Sequence, residues 1–85
     1  MSKYSKLLLK ILSGTSDVNI NFFELSNLLE RLGFVKHTRG SHNIFRKDGI
    51  EEKINLQKDG SNAKPYQVKQ VRNMILNNNL GDADV

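Results

Sequence analysis

The stretch GFVKHTRGSHNIFRKDGIEEKINL, residues 33–56, decides how this chain is read. It holds three runs rich in aromatic and β-branched residues, FVKHT (34–38), SHNIFRK (41–47) and IEEKINL (50–56), each of strand length. Arg39-Gly40 separates the first two, and Asp48-Gly49, a strong two-residue hairpin signal, separates the second from the third. The expectation is a three-stranded antiparallel meander. With two-residue loops at both pairs, Thr38 lies opposite Ser41, His37 opposite His42 and Phe34 opposite Phe45. In the second hairpin Phe45 lies opposite Glu52, Ile44 opposite Lys53 and His42 opposite Asn55. Side chains alternate along a strand, so one face collects Phe34, Phe45, Ile50, Ile54 and Leu56 as a seat for helices. The other collects His37, His42, Arg46, Lys53 and Asn55, with Val35 and Ile44 among them. Glu52 falls on the apolar face, where an edge position lets its carboxylate reach solvent.

Outward from the meander the period changes from two to that of a helix. On the N-terminal side, Leu25, Leu28, Leu29 and Leu32 recur at helical spacing in FFELSNLLERL, with Asn21 as the cap, Glu24 three residues on, and Gly33 as the stop. Earlier still, KYSKLLLKIL (3–12) puts Leu7, Leu8, Ile11 and Leu12 on one face of a short amphipathic helix, with Tyr4 one turn before and Gly14 after. On the C-terminal side QKDGSNAK (57–64) reads as a polar loop. Pro65 opens a last helix, PYQVKQVRNMILNNNL, with Val68, Val71, Ile75 and Leu76 on one side. The tail GDADV (81–85) is expected to fray. The order α-α-β-β-β-α describes one α+β domain over residues 1–85, two-layered, with the helices on one sheet face and the other face free.

Composition bounds what this domain can do. Eighty-five residues at 38% hydrophobic content make one thin-cored domain. The absence of cysteine excludes a disulfide framework, a thiolate zinc site and a cysteine nucleophile. No run approaches the ~20 apolar residues of a membrane span, and MSKYSKLLLKIL lacks the pattern of a secretory signal, so a cytoplasmic protein is expected. The net charge of +4 is uneven: residues 1–47 carry eight basic and three acidic side chains, residues 48–85 five and six. From Arg31 to Lys47 there are five basic residues and no acidic one. Such asymmetry suits a polyanion, because phosphate contacts dominate nucleic-acid affinity.

His42 is the residue with chemistry to offer. From the residues alone it is either a polar side chain on a solvent-facing strand or a general base, since imidazole titrates near neutral pH and can take a proton from a ribose 2′-hydroxyl. Gly40 lets a phosphate approach the backbone, Ser41 adds a hydroxyl donor, and nearby Lys and Arg stabilise developing charge. His37 reads as a cross-strand neighbour. Other chemistries fit poorly. Two histidines supply too few ligands for a transition metal, Ser41 and His42 point to opposite faces, and no phosphate-binding glycine loop is present.

The residues Leu32-Gly33-Phe34, the basic stretch after them, Gly40-Ser41-His42 and Phe45 three positions on together resemble the HicA family of toxin–antitoxin ribonucleases. The similarity covers about residues 20–80, with residues 1–19 as an N-terminal helical extension. The resemblance implies a fold like the double-stranded-RNA-binding domain and cleavage of mRNA without a metal or other cofactor. It implies His42 as the catalytic residue and a HicB-type antitoxin as the neutralising partner. RNA would be held by Lys36, Arg39, Gly40, Ser41, Arg46, Lys47 and Lys53. Many members carry Pro-x-His on or after the third strand. Here Ile54-Asn55-Leu56-Gln57 stands instead, so that histidine's contribution is absent or replaced by Asn55 or Gln57. A non-catalytic RNA-binding module of the same fold is the alternative reading.

Overall fold

Each helix begins and ends on a local signal. In the computed structural model, which describes residues 2–83 and 85, helix α1 (Lys3–Ser13) starts with the Ser5 N–H donating to the Ser2 hydroxyl oxygen at 3.1 Å. Helix α2 (Phe22–Arg31) starts with the Glu24 N–H donating to Asn21 Oδ1 at 3.0 Å, which satisfies one of the donors a helix start leaves free. A single 3-10 turn, Asp17–Asn19, lies between them. Helix α3 (Pro65–Asn77) opens on Pro65 and stops short of the expected Leu80. Asn79 takes φ 56, and the Leu80 N–H turns back to the Ile75 carbonyl at 2.9 Å. This is a Schellman-type ending, with asparagine standing where glycine is more common.

Between α2 and α3 run the three strands β1 (Val35–Arg39), β2 (His42–Lys47) and β3 (Ile50–Leu56), antiparallel in the order β1-β2-β3. The meander is as expected, but the register is not. Arg39 faces His42 and His37 faces Ile44, so the β1–β2 loop is Gly40-Ser41 and not Arg39-Gly40. The reason is steric. Favoured two-residue hairpin turns need positive φ at their first central residue, which penalises arginine and suits Gly40, found at φ 58. The second loop is Asp48-Gly49, flanked by Lys47 and Ile50 as predicted. Only Gly49 has positive φ there, so the turn lacks the twist-matched form that needs it at both positions. The ladder is irregular directly beside it, between Phe45 and Lys47, and beyond that point Phe45 faces Ile54, Ile44 faces Asn55 and Asn43 faces Leu56.

Both departures from the predicted register are steps of two residues. A step of one exchanges the faces of a strand, whereas a step of two preserves them. Phe45, Ile54 and Leu56 therefore share the buried face, with Phe34 and the half-buried Ile50 beside them. They join Leu7, Leu8 and Ile11 of α1, Leu25, Leu28 and Leu29 of α2, and Val68, Val71 and Ile75 of α3 in one core. Helix α3 lies against β3, and α1 against both α2 and α3. Leu76, expected on the buried side of α3, is 58% exposed, and Met74 is buried in its place. Position 74 is one turn from Val71, while 76 lies well round the helix. Ala83 and Val85 of the expected frayed tail lie against the core, and the Ser2 hydroxyl donates to the Val85 carbonyl at 3.1 Å.

The expected polar loop after β3 is a second, two-stranded sheet, β4 (Lys58–Asp59) with β5 (Asn62–Ala63), turning on Gly60-Ser61. It is stitched to the start of α2: Phe22 N–H donates to the Ser61 carbonyl at 3.0 Å and Ala63 N–H to the Ile20 carbonyl at 2.8 Å. At the other end, Arg72 of α3 binds both carboxylate oxygens of Asp17, at 2.9 and 3.2 Å, and the Ile11 carbonyl at 3.2 Å. Glu52, on the helix side of β3, meets Asn78, whose amide donates to it at 3.1 Å. That hydrogen bond holds the Glu52 carboxyl below its ordinary value near 4.5. Among the described residues no helix is long and apolar enough to cross a membrane.

Two outcomes check this packing. Phe45 is fully buried, and Phe45→Ala is expected to cost about 3–5 kcal/mol in denaturant unfolding. A depressed carboxyl pKa contributes stability above its unfolded value and loses it as pH falls through the folded one. The unfolding midpoint of wild type is therefore expected to exceed that of Glu52→Gln at pH ~7, with the gap closing towards pH ~3.

Candidate nucleic-acid interface

Among the described residues, none covers the sheet face turned away from the helices. Along it lie the exposed side chains of His37, Arg39, His42, Arg46 and Lys53, with Val35 59% exposed and Ile44 half-buried among them. Among the described residues the two ion pairs are Lys3 with Glu24 and Arg72 with Asp17, so no basic side chain of the sheet is neutralised by a carboxylate within 4.0 Å. Unpaired cations on an apolar-patched strand surface favour a polyanion over a neutral partner.

His42 stands at the start of β2, beside the Gly40-Ser41 turn, with its ring exposed. The two-residue register step brings Gln57 alongside it as well as Asn55. Asn55 Nδ2 lies 3.4 Å from His42 Nδ1, and Gln57 Nε2 lies 3.4 Å from both ring nitrogens. These are long contacts. They hold the ring without enclosing it. Gln57 is itself fixed from behind: its backbone N–H donates to Oε1 of the buried Gln67 of α3 at 2.8 Å, and its side-chain oxygen accepts from Lys64 Nζ at 3.2 Å. A polar chain thus runs from Lys64 through Gln57 to the imidazole. Asn55 Oδ1 is enclosed with no partner.

The residues expected to bind RNA divide into three groups. Arg39 and Arg46 share the open face with His42, and Lys53, exposed on the edge strand β3, also borders a groove with Gln70, Asn73 and Asn77 of α3. Lys36, opposite Phe45, together with Gly40 and Ser41, belongs to a cleft on the helix side of the sheet, also lined by Phe22, Phe23, Asn43, Gln57, Lys58 and Lys64. Lys47 belongs to neither. Its ammonium donates to the Leu32 carbonyl at 2.6 Å, closing the C-terminal end of α2, where a cation is favoured by the helix dipole. Sequence reasoning missed Phe23, Lys58 and Lys64 at this end of the sheet. One signal was available: Gly60-Ser61 repeats the Gly-Ser pair of the β1–β2 turn, and such a pair between short runs marks a hairpin.

No group of three or more His, Cys, Asp or Glu residues among those described is placed to hold a metal ion. No protein-family model, curated protein or solved structure matches the chain.

Because Lys47 caps a helix, Lys47→Met is expected to lower folding stability by about 1–2 kcal/mol in urea titration. It should also leave polyanion affinity within about twofold, whereas a phosphate-binding lysine would lower the salt slope by about one.

Proposed function

We propose that this protein is an RNA-cleaving toxin of the HicA kind, built on a fold like the double-stranded-RNA-binding domain and neutralised by a HicB-type antitoxin. The observation that carries the reading is His42, exposed on a sheet face whose cations have no carboxylate partners among the described residues. Successive backbone phosphates dock along the strands against Arg39, Arg46 and Lys53. One nitrogen of His42 takes the proton of the ribose 2′-hydroxyl, and the 2′-oxygen attacks the adjacent phosphorus. The bond from phosphorus to the 5′-oxygen breaks, leaving a 2′,3′-cyclic phosphate, and the departing oxygen takes a proton from water or a lysine. Both amides turn their NH2 groups to the ring, and the Gln57 oxygen is taken by Lys64, so they favour a ring nitrogen that accepts. The resemblance in residues 32–45 supplies the substrate and partner classes. The paired Gly-Ser turn and three-stranded meander are compatible with its fold.

A second reading rests on a specific observation. The side chains touching His42 are two amides, neither of which is a proton donor of useful acidity. A non-catalytic RNA-binding module of the same fold needs the cations and not the imidazole.

Incubating the protein with end-labelled RNA in the presence of a chelator separates the two. Cleavage with a cyclic-phosphate end is expected for wild type, and His42→Ala is expected to lose about 10²–10⁴-fold in rate. Equal cleavage by a folded His42→Ala protein, or none by wild type, would remove the nuclease reading. Arg46→Ala and Lys53→Ala should each weaken RNA affinity and reduce its salt slope by about one.

A further inference from the structure

The cleft on the helix side of the sheet has a lining distinct from the open face. It encloses about 440 Å³, a volume within the range that holds small ligands. Its charge is one-sided: Lys36, Lys58 and Lys64 line it, and no carboxylate among the described residues does. Helices α2 and α3 both start at its rim, with Phe22 following the Asn21 cap and Pro65 following Lys64. Its aromatic wall is Phe23, a phenyl ring left 55% exposed. The buried Phe22 ring meets Phe23 edge-on, with centroids 5.4 Å apart and planes at 83°, and steadies it. The Lys58 ammonium lies 4.3 Å from the centroid of the Phe23 ring.

A flat ring beside three ammonium groups that have no carboxylate partner among the described residues fits a ligand that is both a π-face and an anion, and a nucleotide is that ligand. A phosphate in the cleft competes for Lys58, drawing the ammonium off the ring and opening it to a base; stacking of a base on an aromatic side chain is worth ~1–3 kcal/mol. The cleft also communicates with His42. Ser41, on its wall, precedes the histidine in the turn, and Gln57 spans from Lys64 in the cleft to the imidazole on the other side, at 3.2 and 3.4 Å.

We propose that this cleft is a subsite for single-stranded RNA, taking one unpaired nucleotide next to the bond presented to His42, with its base on Phe23 and its phosphate among Lys36, Lys58 and Lys64. The inference rests on the reading of RNA as the ligand. It makes the strand wrap around the end of the sheet at the Gly40-Ser41 turn, crossing from the open face to the helix side.

The test is equilibrium binding of a fluorescent single-stranded oligoribonucleotide, with His42→Ala as the background so that the probe is not consumed. Phe23→Ala is expected to weaken binding about 5–150-fold while Phe23→Trp retains it. Lys58→Ala and Lys64→Ala should each lower the salt slope by about one. Binding by folded Phe23→Ala within about twofold of its parent overturns the subsite. So does a loss confined to capture of an antitoxin-type protein, which would make the cleft a protein-docking surface. Cleavage by the otherwise wild-type chain is scored separately. Dependence of binding on Phe23 without any cleavage supports the subsite and removes the nuclease reading. Cleavage that depends on His42 but not Phe23 does the reverse.

Discussion

Gly40 is the point on which the site turns. At φ 58 its backbone lies where an L side chain is penalised, so the hairpin reverses with Gly40 as its first central residue and cannot reverse one position earlier on Arg39. That choice puts Arg39 opposite His42, and Ser41 into the bend. The irregularity in the second hairpin then advances β3 by two residues against β2, which carries Gln57 to the side of the imidazole. Neither shift disturbs the core, because a displacement of two keeps every side chain on its own face. The fold thus tolerates a change of register that alters which residues neighbour His42.

What surrounds that histidine is assembled from four separate parts of the chain. The β1–β2 turn supplies Gly40 and Ser41. The end of β3 supplies Asn55 and Gln57. Helix α3 supplies Gln67, whose buried amide fixes the Gln57 backbone, and its cap position supplies Lys64. The small β4–β5 sheet, hydrogen-bonded to the residues just before and at the start of α2, brings Lys58 against Phe22 and Phe23. Polar and cationic groups therefore converge at one end of the sheet, while the far end is closed by Lys47 on Leu32 and by Asn78 on Glu52.

The two faces of the sheet were legible because strand periodicity survives a two-residue slip, and Phe45, Ile54 and Leu56 need only be on the same parity to share a core. The leucine stripe of α2 and the cap at Asn21 were legible because they involve residues within a turn of one another. Lys47 was not: its carbonyl partner lies 15 positions away, on a different element. Leu76 and Met74 were exchanged because one residue of helix is 100° of rotation, a margin that a four-residue apolar pattern does not resolve. The stretch 57–64 reads as a loop because its strands are two residues long, too short for alternation to show.

The amino-acid sequence by itself determined an α+β chain with a three-stranded antiparallel meander, helices on one sheet face, and His42 on the other among basic residues. These follow from local rules of period, cap and turn. Only the tertiary structure decided that Asn55 and Gln57 hold the imidazole, that Lys47 serves a helix end, and that Phe23, Lys58 and Lys64 meet Lys36 in one cleft. Those contacts join residues distant in the chain, and their partners are chosen by the register of the strands and by where the helices dock, which no local pattern of residues encodes.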